Sequence, residues 1–88
     1  MAGLSIEPEK LLAAAEDFET SSGSLAEIVE KLDLTTGNLK EDWDGAAKQV
    51  FYKQYTEIRE YLQGFAGILK DISTEMKAMV ERYSDADH

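Results

Sequence analysis

The sequence predicts an all-α protein: an antiparallel helix-turn-helix hairpin that dimerises into a four-helix bundle. Three observations point there. Large apolar residues recur every seven positions along both halves of the chain. The two runs mirror each other about a short charged stretch, EDWDG, at residues 41–45. A chain of 88 residues without a cysteine also has a small core and no disulfide to support it, and domains of this size gain security from oligomerisation.

The first helix is expected over about residues 8–40. Pro8 suits the first turn, where its missing N–H costs nothing, and Glu9 then sits at the positive end of the helix dipole. Leu11, Phe18, Leu25, Leu32 and Leu39 follow at seven-residue steps, with Ala15, Val29 and Trp43 extending a four-residue step beside them. Such a period is helical and excludes a strand. The segments TSSGSL and LTTGNL are poor helix formers, and Gly23 and Gly37 each cost about 1 kcal/mol relative to Ala. The Phe18-to-Leu25 spacing stays at seven across the first of them, so the helix is read as continuous.

The second helix is expected over about residues 45–84, with Asp44 as its N-cap. Phe51, Tyr55, Ile58, Leu62, Phe65, Leu69, Ile72, Met76, Met79 and Tyr83 step by four and three throughout. This is a sustained heptad seam. Residues equidistant from the turn should meet in an antiparallel hairpin. That pairs Leu39 with Phe51, Leu32 with Ile58, Leu25 with Phe65, Phe18 with Ile72 and Leu11 with Met79, in packing of the small-angle class.

More than one stripe of each helix is apolar. Ile28 and Leu34 widen the first, and Tyr61 and Ile68 the second. A second hairpin would cover them, so Leu25, Ile28, Leu34, Tyr61, Phe65 and Ile68 are the candidate dimer interface. Gly64 and Gly67 lie off the intramolecular seam at this level and are candidates for close approach by another chain.

Composition narrows the function. Eighteen acidic against nine basic residues leave a net charge of −9, which disfavours nucleic acid and anionic lipid as partners. No apolar run approaches a membrane span, and MAGLSIEPEK lacks the basic-then-apolar pattern of a Sec signal. The single histidine is the terminal His88, and there is no phosphate loop or nucleophile elbow. No cofactor, metal or catalytic residue is expected; Glu16, Asp17 and Glu19 read as a solvated helix face.

Trp43-Asp44-Gly45 between two long amphipathic helices closely resembles the WXG family, the ESAT-like or Esx proteins of type VII secretion. The tail ERYSDADH adds Tyr83 and Asp87 at the spacing of that family's Tyr-x-x-x-Asp/Glu secretion signal. The chain departs from the family in being shorter than its nominal length and in ending one residue after Asp87. The resemblance covers nearly the whole chain. It implies a single hairpin domain over residues 1–88, with Trp43 and Gly45 as turn and recognition motif and residues 83–88 as signal tail. It further implies a protein secreted without a Sec peptide, cytoplasmic before export, and recognised by an FtsK/SpoIIIE-type ATPase.

In an antiparallel dimer, Trp43 of one chain and Tyr83 of the other would make one composite signal. The partner is a second copy, a second WXG protein or a larger toxin cargo. Competing readings are a dedicated targeting chaperone for such a toxin and a cytosolic helical adaptor.

Overall fold

The computed structural model describes residues 7–43 and 45–86. Two helices make up the fold, α1 over Pro8–Asp42 and α2 over Ala46–Ala86. They pack against each other as an antiparallel hairpin 65 Å long and 18 by 16 Å across. Its Cα radius of gyration is 19.6 Å, against about 12 Å for a compact domain of this length. The hairpin is therefore a rod with little interior. No helix among the described residues is long and apolar enough to cross a membrane.

Pro8 occupies the first turn of α1, with Glu7 before it in an extended conformation. The Glu7 carbonyl accepts from the N–H groups of Lys10 (3.0 Å) and Leu11 (3.1 Å) and so starts the helix. Both poor helix-forming segments lie inside an unbroken α1. Their hydroxyls explain how. Ser22 Oγ donates across the hairpin to the Ala66 carbonyl at 2.7 Å. Thr35 and Thr36 bond back to the carbonyls of Lys31 (3.1 Å) and Leu32 (2.6 Å), one turn earlier. These side chains are satisfied within the helical geometry and do not compete with it.

The seam between the helices differs from the expected one. Of the five expected pairs, only Phe18 and Ile72 are both partly buried; every other pair contains at least one exposed member. Leu32 and Ile58 are both exposed. Of the expected α2 seam, Phe51, Tyr55, Leu62, Leu69, Ile72, Met76 and Tyr83 are half-buried, but the most deeply buried positions form a neighbouring stripe of mostly small residues. Ala15, Val29 and Thr36 are buried on α1, with Ser22 half-buried between them, and these four are spaced by seven. Ala66 and Ser73, also seven apart, are buried on α2. Small side chains let two helices approach closely. The larger heptad residues then straddle the contact and spill onto one outer side.

Polar side chains fix the register. Tyr52 donates to the Thr36 carbonyl at 2.7 Å. Arg59 grips Asp33 with two nitrogens, Nε to Oδ1 at 2.8 Å and Nη2 to Oδ2 at 3.0 Å. Tyr55 donates to the same carboxylate. Nearer the open end, Lys77 meets Glu19 at 2.7 Å.

Candidate interaction surfaces and signal motifs

Two regions of the hairpin stand out: the turn, and an unpartnered apolar side. At the turn, Trp43 ends α1 in an extended conformation, with φ −124° and ψ 126°. Gly45 follows at φ 100°, a left-handed value that disfavours any residue with a Cβ. The space around Gly45 is open, so the turn needs glycine for its backbone angle and not for close approach. Asp44, the expected N-cap of α2, lies outside the described residues.

The chain reversal brings Trp43 back onto α2. Its ring centroid is 5.2 Å from that of Phe51, tilted by 46°. Phe51 in turn meets Tyr52 edge-on at 5.4 Å and stacks near-parallel with Tyr55 at 6.2 Å. Trp43 thus closes the turn end of the hairpin with an aromatic cluster, an arrangement favourable beyond its buried area. It stays half-exposed, so part of the indole faces outward. Tyr83 sits near the end of α2, at the opposite end of the rod, and is also half-buried. Asp87, the second residue of the expected tail signal, lies outside the described residues.

Around the hairpin, eleven large apolar residues are exposed among the described ones. On α2, Ile58, Tyr61, Phe65 and Ile68 form a continuous stripe, with Tyr61 the most exposed at 80%. Tyr61, Gly64, Phe65 and Ile68 line a shallow groove whose rim carries Glu57 and Glu60. On α1, Leu25, Ile28, Leu32 and Leu39 continue the same character, Leu25 half-buried and the others exposed. Leu34 is exposed at 69% but stands apart. Helix geometry turns it about 120° from Ile28, outside the stripe.

The two central glycines of α2 also separate. Gly64 belongs to the apolar groove, while Gly67 lines a different groove with Ser22, Gly23, Ala26 and Ala66. A Cβ at either position would meet nothing within 4 Å.

The polar cluster at Asp33 was not anticipated from sequence. The Arg59 guanidinium, and then the Tyr55 hydroxyl, hold the Asp33 carboxyl below its usual range. Burial, and then the same hydrogen bond, push the Tyr55 hydroxyl up. Asp33 falls one position from the heptad residue Leu32, and Tyr55 is itself a heptad residue that carries a hydroxyl; a charged group bordering a helical seam beside a tyrosine within it was the available signal. Among the described residues, no group of three or more histidine, cysteine, aspartate or glutamate side chains converges to hold a metal.

A rod of two antiparallel helices, reversed at a Trp-x-Gly turn and apolar along one side, defines a class of small helical-hairpin proteins. The chain belongs to the WXG100 family, described as proteins of 100 residues with WXG; the family profile matches residues 3–88. It is 27% identical to an ESAT-6-like protein of Streptococcus agalactiae, over 99% of this chain and 93% of that one. It is 22% identical to type VII secretion system extracellular protein A of Staphylococcus aureus, over 99% of this chain and 90% of that one. Among solved structures, it resembles the secreted protein EsxB of Bacillus anthracis, with a TM-score of 0.87 and 26% identity across 100% of both chains. EsxA of Geobacillus thermodenitrificans matches with a TM-score of 0.85 and 26% identity, covering 92% of this chain and 90% of that one.

Proposed function

We propose that this chain is a non-enzymatic substrate of a type VII secretion system, exported as a dimer and acting as effector or carrier. The observation that carries the reading is the Trp-x-Gly turn set at one end of a hairpin whose apolar side has no partner among the described residues. Family membership supports the secretion system. The names of relatives as extracellular or secreted proteins support export. The exposed stripe supports a dimer, because a lone hairpin leaves Ile58, Tyr61, Phe65 and Ile68 in water, and covering such side chains is worth about 1.5–3 kcal/mol each.

In this reading Trp43 and Gly45 form the turn half of the export signal, and Tyr83 with Asp87 the tail half. The turn and Tyr83 lie at opposite ends of each hairpin. Antiparallel pairing brings the turn of one chain beside the tail of the other, and an FtsK/SpoIIIE-type ATPase would read both. The test is secretion of Tyr83→Ala by a cell carrying the matching secretion machinery. The expected result is a cytoplasmic protein of normal abundance with no extracellular pool. Export at the wild-type level would remove the tail from the signal.

A further inference from the structure

Both helices are weakest at one and the same level of the rod. On α1, residues 21–24 place three serines around Gly23. The glycines of α2 are Gly64 and Gly67. The Ser22–Ala66 and Tyr52–Thr36 hydrogen bonds set the register between the helices. They put Gly23 opposite Phe65, so the three glycines fall within about 3 Å along the axis. The other weak stretch of α1, LTTGNL, has no such counterpart. It faces Phe51 and Tyr52, which are held in the aromatic cluster at the turn.

We propose that this level is a joint. It divides the hairpin into a turn half that stays folded and an open-end half that parts and melts on its own. The joint needs neither export nor a dimer.

Nothing inside the hairpin requires these glycines. None of the three has a positive φ, and a Cβ at any of them would meet nothing within 4 Å. Each still weakens its helix relative to alanine. Nor do they share one docking face. Gly64 opens onto the apolar groove, and Gly23 and Gly67 onto the groove with Ser22 and Ala66. Glycines on both sides of the rod at one level fit a flexible level, not contact with a single partner. Glycine beside serine is also where helices bend. Ser22 pins the two helices together there, its hydroxyl donating at 2.7 Å to the Ala66 carbonyl in the middle of α2.

The ties between the helices divide at the same level. On the turn side, Tyr52 holds the Thr36 carbonyl, and Arg59 and Tyr55 both hold Asp33. Toward the free ends, the cross-helix polar contact among the described residues is Lys77 with Glu19. Their side chains are 40% and 56% exposed, and such a surface pair adds little. The open-end half also holds Ser73, whose buried hydroxyl has no partner. Parting returns water to that hydroxyl and so favours the open state. Once parted, arms of 13 to 19 residues, about this length, are marginal as lone helices. Ile72, Met76 and Tyr83, half-buried in the closed hairpin, then become accessible while Trp43 remains packed on Phe51.

Amide hydrogen exchange of the full chain, followed residue by residue by NMR at one protein concentration, tests the joint. Outside the last turn of each helix, which frays in any case, protection is expected to drop in one step of about tenfold or more. The step lies between Gln63 and Ile68 on α2 and between Thr20 and Leu25 on α1. Even protection along the rod, or a smooth decline toward the free ends, would overturn the joint. Gly23→Ala combined with Gly67→Ala is expected to slow exchange in the open-end half by about fivefold or more, with the turn half unchanged. Gly37→Ala, the same change within the turn half, is expected to leave the step in place. A double variant with the wild-type step would likewise overturn the proposal. None of these outcomes bears on export, which Tyr83→Ala secretion tests separately.

Discussion

Ser73 carries an unusual burden for its size. It is only 1% exposed, and its Oγ is buried without a hydrogen-bond partner. A hydroxyl in that position loses water and regains nothing, at a cost of about 1–3 kcal/mol. Ser73→Ala keeps the small volume that the seam needs and removes the orphan atom. It is expected to raise stability by about 1 kcal/mol, read from urea unfolding. Asp33 shows the opposite case, a polar group that is fully used. Because Arg59 and Tyr55 depress its pKa, the folded protein binds that proton less readily than the unfolded chain. Its contribution is complete above the ordinary aspartate value of about 3.9. It disappears as pH falls through the lower folded value. Asp33→Asn is therefore expected to melt below wild type at pH 7, with the gap closing on acidification below about pH 4; thermal melts across that range measure it.

At the scale of the helices, the small residues decide how close α1 and α2 come. Ala15, Val29 and Thr36 on one side and Ala66 and Ser73 on the other are buried, while Leu32, Ile58 and Phe65 are not. Ala15→Leu adds bulk at a position with no exposed surface and is expected to cost about 1–3 kcal/mol through overpacking. The same change at exposed Ala47 should be close to neutral, and urea unfolding of the pair makes the comparison. The helices themselves were legible in the sequence, down to Pro8 at the start of α1 and continuity through TSSGSL. The face that each turns to the other was not. Hydropathy weights Leu32 and Phe65 heavily and Ser22 and Thr36 hardly at all. The small residues repeat by seven as regularly as the large ones, and that second repeat was the available signal.

For the molecule as a whole, the consequence is a rod that closes on small residues at the centre of its seam and leaves Ile58, Tyr61, Phe65 and Ile68 outside. The buried apolar residues among those described are Leu11, Ala15, Val29 and Ala66, a thin core for so long a hairpin. In the proposed dimer, stability depends on association, and mass action makes that visible. The thermal midpoint is expected to rise with protein concentration over the micromolar range, measured by circular dichroism. A midpoint independent of concentration would identify a hairpin that stands alone.

The sequence by itself determined the helices, the turn at Trp43–Gly45, and the presence of more apolar surface than one hairpin can use. Periodicity and turn chemistry are local, and they can be read residue by residue. Only the tertiary structure decided which heptad stripe closes the hairpin and which is left for a partner. Two stripes lie side by side on each helix, and both satisfy the same period. The choice between them is made by how closely two backbones approach, and that depends on residues from both helices at once.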